Sequence, residues 1–210
     1  MSNRCLRIAP IVEGHGEQSA LPILLRRIGT ELLGAQYVDV LPPSRGKRDR
    51  LIHDVGQELT KAVDRFARDL ASRSQDGCPS LILILVDADD GCAIDIAAGI
   101  NRTARNARSD YMSTCVVAVK EFETWFVAAA ESLSEWLNIT DSELPNDPEH
   151  QRCGKRWVED RFVPKPDQAK YKERVDQPRF TKLMDLHVCR ERSRSFKKLC
   201  CELEKALGQK

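Results

Sequence analysis

The chain has 210 residues, 41% of them hydrophobic, with 33 Lys and Arg against 32 Asp and Glu. That length accommodates one α/β domain with an appendage and a sizeable core, and the balance of charge excludes a nucleic-acid coat protein or a strongly acidic chain. No apolar run approaches the roughly 18 residues of a membrane span, the start MSNRCLRIAP lacks the apolar stretch of an export signal, and the eight cysteines contain no CxxC pair. These features predict a cytoplasmic protein, away from membranes, with reduced thiols.

Residues 6–12 read as a strand, with Gly14 and Gly16 as the turn after it. Leu21, Leu24, Leu25, Ile28 and Leu32 then recur at helical spacing. Pro22 fits that helix in its first turn, where its missing N–H is not needed, which places the start near Glu17. Residues 37–41 form a short second strand, closed by Pro42 and Pro43. Ile52, Val55, Leu59, Val63, Phe66 and Leu70, at intervals of three or four, predict one continuous helix. Residues 81–86 are apolar at every position, the mark of a central parallel strand covered on both faces. A weaker helical pattern at 94–108 precedes a fourth strand at 115–119, after which Phe122, Trp125, Phe126, Ala129 and Leu133 begin another helix. Residues 141–154, with Pro145, Asn146, Pro148 and Gly154, read as a linker or long loop. Short helical patterns follow at 155–162 and 195–207, separated by VPKPDQ and VDQPRF.

Strand and helix alternating without hairpin signals predicts an α/β fold, a parallel sheet of about four strands flanked by helices, over residues 1–140. Residues 141–210 then form a basic helical extension packed on or near it. From Gln151 onward there are 17 basic and 9 acidic residues, a net of +8, which leaves −7 for residues 1–150 within the total of +1. A negative body and a positive tail suggest a polyanion contact on the tail, and a solvated helical surface gives similar counts.

In open α/β sheets, ligands bind outside the carboxyl ends of the strands. Glu13 follows the first strand with Glu17 one helical turn later, Asp87 and Asp89 leave the third, and Glu121 and Glu123 follow the fourth. Singly each has an ordinary explanation: Glu17 complements a helix start, Asp89 and Asp90 cap the next helix, and Glu123 is solvated. Together, carboxylates gathered at one sheet edge raise each other's pKa values unless a cation neutralises them. Mg²⁺ or Mn²⁺, bound through hard oxygen donors with positions left open for phosphate, is the economical cation. EGHGE has too few glycines for a dinucleotide fingerprint, and no GxxxxGK[ST] is present. A phosphoacceptor receiver would need paired acids after its first strand, where this chain has Glu13.

The Glu-Gly after the first strand and the Asp-x-Asp after the third resemble the Toprim fold of topoisomerases, primases and OLD-type nucleases, a Rossmann-like parallel sheet. IVEGHGEQSALPILLRRI, LVDADDG, VKEFETWFVAA, GKRWVED, YKERVDQP and SFKKLCCELE together are similar to the Toprim-like family labelled domain of unknown function 4276. The resemblance implies that Glu13 is an acid or base near a scissile phosphate and that Asp87 and Asp89 hold magnesium. Glu17 matches a further acidic position of the OLD-like branch. Glu123, two residues before Trp125, matches a characteristic position of the closer family. The fourth strand offers Lys120 and no other candidate for a catalytic lysine. The family's occurrence beside ATPase genes in prokaryotic phage defence implies an ATPase partner.

The expected activity is therefore that of a Mg²⁺-dependent nuclease or related phosphoryl-transfer enzyme, with Glu13, Glu17, Asp87, Asp89 and Glu123 catalytic and Glu13, Asp87 and Asp89 binding metal. Lys155, Arg156, Lys170, Lys172 and Arg179 would contact nucleic-acid phosphates without reading sequence. Tyr171 is more readily a packing residue than a base-stacking one. The alternative is a non-catalytic module that docks on an ATPase, its acids ordering loops. DNA, RNA and nucleotide substrates stay open, as does oligomeric state.

Overall fold

Leu81 through Val86 are each at most 1% exposed, which a strand achieves by being central and covered on both faces. The computed structural model, which describes residues 4–74, 77–140, 144–150 and 153–208, gives that strand the predicted setting. The strands are β1 (Cys5–Val12), β2 (Tyr37–Val40), β3 (Ser44–Arg45), β4 (Ser80–Asp87) and β5 (Ser113–Ala118). They run in the order β2-β1-β4-β5, with β3 paired to the end of β1, and every pairing is parallel. All strand exits therefore share one edge.

Side-chain alternation on β4 divides the interior. Ile82, Ile84 and Val86 face α3 (Glu58–Ala71) and α4 (Ala93–Ala107) in a core with Leu59, Val63, Phe66, Leu70 and Ile100. Leu81, Leu83 and Leu85 face a second core. It holds Leu21, Leu24 and Leu25 of α1 (His15–Arg27) and Trp125 and Phe126 of α5 (Thr124–Ala128). Its remaining cover comes from α6 (Gly154–Arg161), α7 (Glu173–Leu183), α8 (Leu186–Arg192) and α9 (Arg194–Ala206), through Val158, Phe180, Cys189, Phe196, Leu199 and Leu203. The basic C-terminal region thus completes one face of the sheet. Among the described residues no helix is long and apolar enough to cross a membrane.

Several expectations are corrected. The helix predicted through Ile52 and Val55 is broken: α2 (Arg48–Ile52) ends, Asp54, Gly56 and Gln57 take positive φ, and α3 starts at Glu58. The Asp54 carboxylate accepts the Thr60 N–H and hydroxyl and so caps α3 from outside, leaving Val55 54% exposed. Helix α1 starts at His15, so Pro22 lies in its interior; complete burial of Leu21, Leu24 and Leu25 outweighs one lost backbone bond. VDQPRF separates nothing: it lies within α7, with Phe180 fully buried. The helix expected from Phe122 onward is short, and a 3-10 turn at Ala130–Leu133 follows it. Cys5 and Cys78 form a disulfide, against the expectation of reduced thiols; β1–β4 register, with Arg7 beside Ser80, brings the two side by side. Within the expected linker, residues 141–143 and 151–152 lie outside the described residues.

Candidate site at the strand exits

The sheet register decides which acids meet. Val12 pairs with Leu85 and Asp87 with Ala118, so Glu13, Asp87 and the segment after β5 emerge together. The backbone N–H of Asp87 points at the Glu13 carboxylate. Burial, with Glu17 second and Asp89 also contributing, pushes Glu13 up to about 7 despite the opposing Arg48 guanidinium. Asp87 is raised well above the ordinary aspartate value, first by burial and then by Glu17, Glu13, Glu123 and Asp89. Five carboxylates from three strand exits thus share one electrostatic neighbourhood. Two of them, Glu17 and Glu123, are buried outright, at 6% and 3% exposure.

The glycines of EGHGE acquire a concrete reason. Gly14 is the N-cap of α1, and Glu17, at the third helical position, reaches back to its N–H as the acidic half of a capping box. A Cβ on Gly14 would collide with that carboxylate, and one on Gly16 would collide with the Gln177 carboxamide of α7. These turn glycines serve the close approach of side chains. Glu17 is accordingly both a helix cap and a member of the cluster, its pKa raised by burial.

Glu123 is held by distant partners. Its Oε1 accepts the Tyr171 hydroxyl at 3.0 Å and the Gln177 Nε2–H at 2.9 Å, while burial raises its pKa to about 7. Tyr171 is 6% exposed and packs at the edge of Phe162, as the packing reading expects. Glu121 turns elsewhere, accepting the Lys155 backbone N–H at 2.8 Å and the Cys153 thiol at 3.2 Å, which ties the start of α6 to the β5 exit.

A basic residue unforeseen from the sequence enters the cluster. The Arg48 Nε lies 3.1 Å from Asp89 Oδ2, and its guanidinium donates to the Asp87 carbonyl at 3.2 Å and the Ala88 carbonyl at 3.0 Å. The basic run RGKRDR after β3 was the available signal, and the pairing of β3 with Ile11 and Val12 brings it to the site. Asp89 and Lys120 both have positive φ, 48° and 64°, and the Asp89 N–H donates to the Lys120 carbonyl at 2.9 Å. Two non-glycine residues in this conformation, bonded to each other, mark a locally strained exit of the kind that clusters at functional sites. The Lys120 ammonium pairs with Asp90 at 3.0 Å.

The basic residues expected to meet phosphate have different fates. Lys155 pairs with Glu173, Arg156 stands 3.6 Å from Asp160, and Lys170 and Lys172 are exposed. Arg179 bonds the fully buried Asp176 at 2.6 Å and stacks over Trp136 at 4.2 Å, so its charge is committed within the fold.

Comparison with curated proteins and with solved structures gives no match. The model of one family, described as a domain of unknown function (DUF4276), matches residues 12–204, from the last residue of β1 into α9, and includes every acid of the cluster. The chain belongs to the DUF4276 family.

Proposed function

We propose that the chain is a metal-dependent enzyme of phosphodiester or phosphoryl-transfer chemistry, of Toprim type, acting on nucleic acid. The observation that carries this reading is the meeting of Glu13, Glu17, Asp87, Asp89 and Glu123 at one sheet edge, where burial raises the pKa values of Glu13, Glu17, Asp87 and Glu123 and neighbouring carboxylates add to the rise at Glu13 and Asp87. The donor set suits a hard divalent cation: all its donors are oxygens, and Glu13 and Glu17 each keep a buried Oε2 without a hydrogen-bond partner. Glu13, Asp87 and Asp89 would hold the ion. Among the described residues no three such side chains close on one point in the present arrangement, and Asp89 would have to leave Arg48 to join. When bound, Mg²⁺ or Mn²⁺ supplies Lewis acidity toward a phosphoryl oxygen and a lowered pKa for water.

The chain's own groups supply the rest. In the cation-free site Glu13, near 7, exchanges a proton at its unpaired Oε2 close to neutral pH and would give it up to an arriving cation. Arg48, once free of Asp89, offers a planar guanidinium to a phosphate, and the exposed Lys170 and Lys172 would meet the phosphates of a longer substrate. The family resemblance adds an ATPase partner in prokaryotic defence. The test is cleavage of labelled DNA and RNA by the purified chain with Mg²⁺ or Mn²⁺. Activity should fall by about a hundredfold or more in Asp87→Asn; unchanged cleavage would assign it to a contaminant.

Arg48 favours a second reading, since a cluster carrying its own cation can order loops without metal. The chain would then be a non-catalytic module docking on an ATPase. Under that reading the wild type cleaves nothing, alone or with the ATPase, and Asp87→Asn alters only stability or docking.

A further inference from the structure

A groove of about 750 Å³ runs along the outer edge of β5. Strand β5 pairs with β4 on one side and stands last in the sheet order. From Met112 onward its even-numbered residues direct their main-chain groups at β4: the Met112 carbonyl accepts the Ile82 N–H and the Ala118 carbonyl accepts the Ala88 N–H, both at 2.9 Å. Pleating then turns the N–H and C=O of Ser113, Cys115 and Val117 outward, and all three residues line the groove. Asn101 of α4 accepts the Cys115 N–H through Oδ1 at 2.8 Å, standing where the carbonyl of a neighbouring strand would be. Among the described residues no side chain or loop does the same for the outward N–H of Val117.

The two walls differ in chemistry. On the α4 side Ala93, Ala97 and Ala98 lie beside Ile94, which is 79% exposed and leaves the apolar surface of this wall open to a ligand. On the α9 side the exposed Arg194 and Lys198 stand over Glu149 and Glu202, each of which they pair. Lys205 also pairs Glu202, so three exposed cations of α9 face two buried carboxylates, while exposed Arg105 stands across the groove on α4. The free edge is recessed between α4 and α9. In a second copy β5 is walled by the same two helices, so the two edges could not reach each other; a free extended segment could.

We propose that this groove receives an extended peptide segment of a partner protein, added to β5 as the next strand in place of the Asn101 side chain, with small apolar residues toward α4 alternating with acidic residues toward α9. Alternate side chains of an added strand fall on opposite sheet faces, which here are the apolar and the basic wall. The site is separate from the acidic cluster, and its test does not depend on catalysis.

The experiment is fluorescence anisotropy of the full chain with a labelled octapeptide of alternating Val and Glu. Binding should weaken by about tenfold when Lys replaces Glu in the probe, and again in Ile94→Asp, whose fold is checked by circular dichroism. N-methylation of every second peptide residue should abolish binding in one register and leave it nearly unchanged in the other, because alternate amides of an added strand face β5 and solvent. Absence of binding up to ~1 mM, or equal tolerance of both N-methylated registers, would overturn the proposal.

Discussion

Gly16 and Gln177 sit 161 positions apart, and a Cβ on Gly16 would push the buried Gln177 carboxamide off its bond to Glu123. Gly16→Ala should therefore destabilise the fold by about 1–3 kcal/mol, the usual cost of overpacking. Gln177→Ala in the same chain should relieve most of that cost, a coupling that urea denaturation in a double-mutant cycle would measure. Glu123 makes a second residue-scale test. Its folded-state pKa, about 7, lies above the ordinary 4.5, so its protonation stabilises the fold: that contribution is complete below about 4.5 and is lost as pH rises through about 7. Asp87 and Glu173 oppose its charge and Lys155 favours it. Glu123→Gln keeps an Oε1 acceptor for Tyr171 and Gln177, and should stabilise the protein by roughly 1–3 kcal/mol at pH 8 with little effect at pH 4. The acids themselves were legible in the sequence because strand ends are readable and their residues adjoin. Arg48, Tyr171 and Gln177 were not, because each reaches the site from an element whose place is set by tertiary packing.

The strands were legible as elements because burial on both faces writes itself as continuous Leu, Ile and Val, as in residues 81–86. Helix α7 was not: Pro178 argues against a helix, and its buried face includes the polar Asp176, Gln177 and Thr181. What holds it is contact with α1. Arg27 of α1 donates through Nη1 to the Thr181 carbonyl at 2.8 Å and the Met184 carbonyl at 2.9 Å, satisfying acceptors at the end of α7 that no further helical turn would reach. Arg27→Ala should cost about 1–3 kcal/mol and raise amide exchange in α7 before it does so in β4. Equal protection of α7 in both proteins would show that apolar packing alone seats it.

At the scale of the molecule, the predicted division at residue 140 hides a shared interior. Phe180, Phe196, Leu199 and Leu203 cover the same sheet face as Leu21 and Leu24. A chain ending at residue 140 should expose that face, bind a hydrophobic dye and aggregate; a soluble, cooperatively melting fragment would contradict the shared core. The same packing brings Tyr171 and Gln177 to Glu123, so the C-terminal region both completes the fold and shapes the acidic cluster. The proposed role of these carboxylates is to hold a divalent cation. Its most direct test is calorimetric titration of the full chain with Mn²⁺ at pH 8, compared with Asp87→Asn. Saturable binding by the wild type, lost in the variant and weakened below pH 6 as the carboxylates gain protons, is the predicted result. No binding heat up to ~10 mM, or equal binding by Asp87→Asn, would contradict it.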